Sequence, residues 1–212
     1  MMFWPKRKRL LPGPPEPTLC MYDSVTGLPT ERLFLLLLTH TLAQAKQSQQ
    51  IVAVFVVALE PCRPRPVGPG QQNATLVERV QGARIKGAVH PHHTVARLSA
   101  DRFAVIVDGL DGVPGAVSIA QDIRQAMSLP LVVEGHELLL SCRIGVSVAP
   151  LDGMDSAALL DGATRALAKG QHDDAPINFL SDVTALTSAG QPGAGGESLR
   201  KHHGLNILAS HR

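Results

Sequence analysis

Apolar residues along this chain recur first at a helical period and then as an unbroken run. Leu33, Leu36, Leu37 and Leu42 share one side of a helix predicted over 29–50, with Thr30 placed to cap it. Residues 51–59 form a dense, largely β-branched run, the pattern of a central strand covered on both faces. Four prolines and two glycines within 61–70 interrupt it as a loop. Helical spacing returns over 73–88, where Leu76, Val80 and Ala83 fall on one side. Short strands at 95–98 and 103–107 flank Ser99-Ala100-Asp101-Arg102, which reads as a hairpin turn. A helix is predicted over 114–128, strands over 129–133 and 138–149, a helix over 156–169 and a closing strand over 177–180. Helices interrupting a hairpin-rich sheet point to an α+β sandwich of the split ferredoxin-like kind, with a central, mostly antiparallel sheet flanked by helices.

The ends of the chain read differently. Five prolines within 1–21 prevent a regular element, and 183–212 is rich in glycine and polar residues, so a disordered leader and a flexible tail are expected around a domain at 22–182. Phe3 and Trp4 beside Lys6-Arg7-Lys8-Arg9 offer weak membrane contact at most, because one short basic run anchors poorly. No apolar h-region follows it, and the apolar run from Leu33 to Leu38 is far short of the ~20 residues that cross a bilayer.

Composition narrows the class without choosing a function. Hydrophobic residues make up 44% and charged residues 18% of 212, as in ordinary soluble domains. A net charge of +2 does not indicate a nucleic-acid partner. Cys20, Cys62 and Cys142 are odd in number and widely spaced, which indicates neither a disulfide framework nor a zinc ribbon and suits a reducing cytoplasm. Neither a GxSxG elbow nor a GxxxxGK[ST] loop occurs. Asp161, Asp173, Asp174 and Lys169 line the last helix and its exit as a solvated face.

Three collinear segments carry a family resemblance. Residues 22–34 read Tyr-Asp-Ser-Val-Thr-Gly-Leu-Pro-Thr-Glu-Arg-Leu-Phe; residues 97–103 read Arg-Leu-Ser-Ala-Asp-Arg-Phe. Ile144-Gly145-Val146-Ser147 is followed by Asp152-Gly153 and by Ala163-Thr164-Arg165-Ala166-Leu167. Over about 22–180 the chain resembles a GGDEF domain, whose members condense two GTP molecules into cyclic di-GMP on a palm-like fold shared with adenylyl cyclases. Their signature turn reads Arg-Leu-Gly-Gly-Asp-Glu-Phe.

The resemblance implies a site, and this chain departs from it at the reacting centre. The triphosphate must be neutralised by metal ions held on carboxylates. Ala58 stands where the family places a metal-binding Asp. Asp101 keeps the third position of the turn, but Arg102 puts a fixed positive charge at the fourth. Ser99 and Ala100 replace the glycines that let the nucleotide approach the backbone, and Phe103 is retained. Glu60 is a weak stand-in metal ligand beside Asp101. Asn73 occupies the guanine-reading position, where an amide offers less than a carboxylate. The family's Arg-x-x-Asp inhibitory site falls on His90-Pro91-His92-His93, so His90 and His93 replace its two charged groups. Three imidazoles around a proline are metal-ligand types, but no acidic residue or cysteine adjoins them in sequence, and they read as a polar turn.

These departures lead to an expectation of a catalytically inactive GGDEF-like domain serving as a regulatory protein-interaction or nucleotide-sensing module in bacterial cyclic di-GMP signalling. The alternative is a weakly active diguanylate cyclase working through Asp101 and Glu60. The expected partner is another protein or a second copy of the chain, with GTP or cyclic di-GMP as further ligands. No cofactor is expected, unless residual nucleotide binding brings magnesium.

Overall fold

The computed structural model describes residues 20–60, 71–133 and 135–181. Most of the leader, the 61–70 loop with Cys62, and the tail lie outside them. Among the described residues, four helices and seven strands follow in the order α1 (Glu31–Ser48), β1 (Ile51–Glu60), α2 (Gln71–Ala88), β2 (Thr94–Arg97), β3 (Arg102–Leu110), α3 (Val113–Met127), β4 (Leu131–Val133), β5 (His136–Leu138), β6 (Ser141–Ala149), α4 (Ser156–His172) and β7 (Ile177–Phe179). Five strands form one sheet in the order β2-β3-β1-β6-β7, antiparallel except for the parallel β6–β7 edge. The α+β class expected from the hydrophobic pattern is the one observed.

The continuous apolar run of β1 is explained by its position at the centre of this sheet. Residues Val52 to Ala58 are all buried, and successive side chains enter opposite layers. Ala53, Phe55 and Val57 pack with Ile85 of α2 and with Ala120, Ile123 and Met127 of α3. Val52, Val54, Val56 and Ala58 pack with Phe34, Leu38 and Leu42 of α1 and with Leu159, Ala163 and Leu167 of α4. Burying each of the larger of these side chains contributes about 1.5–3 kcal/mol.

The Ile144-Gly145-Val146-Ser147 segment owes its composition to α4. A β-carbon on Gly145 would stand 2.1 Å from the Ala163 carbonyl oxygen and 2.3 Å from the Leu167 nitrogen. The helix therefore lies directly on the β6 backbone. Ser147 is fully buried and donates its hydroxyl to the Leu159 carbonyl at 2.7 Å.

Residues 138–149 are not one strand as expected. β5 pairs with β4 in a separate two-stranded ribbon, whereas β6 pairs with β1. Leu139 is 58% exposed and Leu140 is buried, so the chain changes sheets at these two residues. An apolar run alone does not mark such a switch. The connection between β4 and β5 is also tighter than expected: Val133 pairs with His136, and Gly135 adopts φ +79°, as two-residue hairpins require.

Candidate functional site

The signature turn is held from behind by an ion cluster. Asp23 shapes the opening turn: its Oδ1 accepts hydrogen bonds from the Thr26 amide and hydroxyl, both at 2.7 Å, and from the Val25 amide at 3.2 Å. Gly27, with φ +70°, closes that turn by donating its amide to the Asp23 carbonyl at 2.8 Å. Arg97 then joins three elements. It donates to Asp23 at 2.9 Å, to Glu78 of α2 at 2.9 Å, and to the Ser99 carbonyl at 3.1 Å. Its side chain is only 10% exposed, which makes these charge-assisted bonds stronger than surface pairs. Burial alone raises the Asp23 pKa; the Arg97 guanidinium and the Thr26 donors outweigh it and hold the carboxyl below its ordinary value.

Phe103 fixes the same hairpin through packing. It is fully buried, and a β-carbon on Gly82 of α2 would meet its ring at 3.4 Å and Leu28 at 3.1 Å. The opening motif, α2 and the signature hairpin thus meet at one place. None of the roles of Asp23, Glu78 or Arg97 was assigned from sequence; their partners lie up to 74 positions away.

The front of the turn faces an open cleft of about 580 Å³ between α1, β1, the hairpin and α4, lined by Glu31, Val56, Ser99, Asp101, Arg102 and Asp161 among others. Asp101 is tied back to its own turn, with its carboxylate accepting from the Ser99 hydroxyl at 2.6 Å. Its carbonyl accepts from the Leu59 amide at 2.8 Å, anchoring the turn to β1. Asp161 pairs with Arg165 at 3.1 Å. Among the described residues no three histidine, cysteine or acidic side chains converge here.

Ala58 is paired across the sheet with Arg102 on β3 and with Arg143 on β6. Directly opposed residues share a face, so both guanidinium-bearing side chains leave the sheet on the side that Ala58 faces. The position implied for a metal carboxylate therefore has a methyl group, flanked by two arginines.

Glu60 is committed elsewhere. It accepts from the Ser141 hydroxyl at 2.5 Å and from Arg143 Nε at 2.6 Å, and Arg143 also pairs with Asp174 at 2.7 Å. The Ser141 hydrogen bond, then Arg143 against the opposing effect of burial, holds the Glu60 carboxyl below its ordinary value. Glu60 lines a second cleft with Arg124, Cys142 and Asp174, apart from the one that holds Asp101. The structure does not bring the two candidate metal ligands together. Asp174, read as solvated, is exposed but paired. Cys142 is buried, and burial pushes its thiol up to about 12, so it is inert as a nucleophile. Asn73 falls in the first turn of α2, and its side chain lies outside the described residues.

A third cluster stands at the far end of the β2–β3 hairpin. The turn at residues 90–93 is closed by the His93 amide donating to the His90 carbonyl at 2.9 Å. Its imidazoles crowd together: ring centroids are 4.3 Å apart for His90 and His92 and 3.9 Å for His92 and His93. Asp108 of β3 joins them, with its Oδ1 3.3 Å from His93 Nδ1 and 3.6 Å from His92 Nε2. This acidic residue, fifteen positions past His93, was missed in the sequence because only strand pairing brings it near. Burial, then the neighbouring His92, holds His93 below the ordinary imidazole pKa, against the Asp108 hydrogen bond.

Comparison with known proteins accords with this geometry. The family model described as diguanylate cyclase, GGDEF domain, matches residues 20–175. The signaling protein YkoW of Bacillus subtilis is 28% identical over 147 residues, which span 69% of this chain and 18% of YkoW. The bifunctional diguanylate cyclase/cyclic di-GMP phosphodiesterase MucR of Pseudomonas aeruginosa is 26% identical over 169 residues, 79% of this chain and 24% of MucR. The chain thus spans less than a quarter of the length of these curated relatives. The solved GGDEF domain of TpbB from Pseudomonas aeruginosa superposes with a TM-score of 0.71 at 25% identity, covering 79% of this chain and 99% of that one. With the match running from the opening turn through the signature hairpin to the end of α4, the chain belongs to the GGDEF family.

Proposed function

We propose that this chain is a catalytically inactive GGDEF domain that regulates cyclic di-GMP signalling by binding a protein partner or sensing a nucleotide. The observation that carries the reading is Ala58, a methyl group flanked by Arg102 and Arg143 where a metal carboxylate is required. Among the described residues, no three acidic side chains converge in this cleft to bring divalent cations to a triphosphate. Two of the three carboxylates that line the cleft also favour a non-catalytic role, since Asp101 is tied to Ser99 and Asp161 to Arg165, which leaves Glu31 as the third.

One observation favours the nucleotide-sensing arm of this reading. Arg102 lines the cleft, and none of the ion pairs among the described residues includes it. A guanidinium in that position suits a phosphate oxygen directly, with no metal between them. The alternative, a weak cyclase working through Asp101, requires a metal site that Glu60 does not complete while it is held by Ser141 and Arg143.

The test is incubation of the purified chain with GTP and magnesium or manganese, with products separated by chromatography. No cyclic di-GMP is expected. Calorimetric titration with GTP and with cyclic di-GMP, with and without magnesium, distinguishes sensing from scaffolding, because a sensor binds one of them at micromolar concentration. Turnover that disappears in Asp101→Ala would overturn the proposal.

A further inference from the structure

We infer that His92, His93 and Asp108 form a binding site for one divalent transition-metal ion of the zinc type, at the end of the β2–β3 hairpin away from the signature turn. The donor atoms all lie within 4.8 Å of one another. Asp108 Oδ1 is 3.3 Å from His93 Nδ1 and 3.6 Å from His92 Nε2. A direct hydrogen bond between nitrogen and oxygen settles at about 2.7–3.2 Å, so both spacings are longer than that contact prefers. The 3.3 Å spacing equals the edge of a coordination tetrahedron, roughly 3.3–3.4 Å for bonds of about 2.0–2.1 Å, and the 3.6 Å spacing is slightly longer.

The local structure prepares the site. The turn closed by His93 N–H and the His90 carbonyl fixes the loop backbone, and Thr94 is already paired with Ile106 on β3. Asp108 lies two residues beyond Ile106 on β3, so the loop ligands and the strand ligand stand at the same end of the hairpin. The His93 side chain is 7% exposed, whereas His92 is 54% and Asp108 42% exposed. One ligand is therefore anchored by packing and two face solvent, leaving a fourth position for water or an incoming donor.

Ligand chemistry sets the ion class. Two imidazoles and one carboxylate suit zinc, cobalt, nickel or copper, whereas magnesium prefers oxygen donors and its own water. The inference does not rest on the regulatory reading above, since neither its ligands nor its ion belongs to the nucleotide cleft.

The experiment titrates the full chain, freed of metal by chelation, with Zn²⁺ by calorimetry and with Co²⁺ by visible absorption. One equivalent of Zn²⁺ is expected, with tetrahedral Co²⁺ bands and no competition from excess Mg²⁺. Asp108→Asn and His92→Ala should each weaken Zn²⁺ by at least the ~10–100-fold that loss of a mere outer-sphere partner costs. Both side chains are about half exposed, so the variants should fold, which far-ultraviolet circular dichroism checks. A His202→Ala/His203→Ala variant should bind as the parent does. Absence of saturable binding would overturn the inference. So would parental affinity in both Asp108→Asn and His92→Ala, or loss of binding in the His202→Ala/His203→Ala variant alone.

Discussion

Arg97 and Arg102 stand five residues apart on the same hairpin, carry the same charge, and live in opposite environments. Arg97 is behind the turn, nearly buried, and holds Asp23, Glu78 and the Ser99 carbonyl. Arg102 is in front, exposed, and borders the cleft opposite Ala58. The contacts that position the turn and the groups that would do chemistry on it are thus separate sets of atoms. The contacts behind this hairpin run between protein groups, so changes at its front leave them in place.

The largest effect should come from cutting the rear contacts. Arg97→Ala leaves two partly buried carboxylates without their cation, and removing one partner from such a cluster costs about 2–4 kcal/mol. Urea denaturation should show a lower midpoint at an unchanged slope. Arg97→Lys should recover only part of the loss, since an ammonium cannot serve three divergent acceptors as a guanidinium fork does. A loss below roughly 0.5 kcal/mol for Arg97→Ala, the range of ordinary surface changes, would erase the distinction between the two arginines.

Rebuilding the front tests the other half of the comparison. Ala58→Asp combined with Arg102→Glu adds two carboxylates and removes the opposing charge. Calorimetry in magnesium should show GTP binding at least ten times tighter than the parent's. Ala58→Asp alone should gain less, because Arg102 and Arg143 still flank the new carboxylate. If the parent already binds GTP in a magnesium-dependent manner as tightly as the double variant, Ala58 is not what separates this cleft from a working one.

Acid should weaken the rear of the hairpin by protonating Asp23. Asp23 has a folded pKa below its unfolded value near 4, so its contribution is complete above that value. It is lost as pH falls through the depressed folded value. Glu60 follows the same sign at the Arg143 cluster. Stability measured in urea should therefore decline as pH drops below about 4, and Asp23→Asn should flatten that decline. An identical pH profile in Asp23→Asn would show that the Arg97 cluster contributes nothing to it.

Much of the fold was legible because its signals are local. The continuous run of β1 announced a strand covered on both faces, and α1 forms as a helix. Its buried side, however, is Phe34, Leu38, Leu42 and Ala45 rather than Leu33, Leu36, Leu37 and Leu42, of which only Leu42 is buried and Leu36 is exposed. Positions 58 and 99–103 could be placed by motif alone. What escaped depends on distance in the chain. Glu78 meets Arg97 only once α2 crosses the hairpin, and Asp108 meets the histidines only through β2–β3 pairing. The sheet change at Leu139-Leu140 has no turn residue to mark it, so two strands read as one. Glu60 was weighed as a free carboxylate because its captors, Ser141 and Arg143, come from a strand some eighty residues on.

The smallest expected effect is the most discriminating. Arg102→Ala removes an exposed side chain that takes part in none of the ion pairs among the described residues. Its stability should stay within about 0.5 kcal/mol of the parent, as for surface positions without partners. What the substitution alters is the electrostatic character of the cleft, so any binding of a phosphate-bearing ligand there should weaken and lose part of its salt dependence. Stability and ligand binding would then respond to different arginines on one hairpin. If Arg102→Ala instead lowers the urea midpoint as far as Arg97→Ala does, the front of the turn is structural after all, and the cleft cannot be reworked independently of the fold.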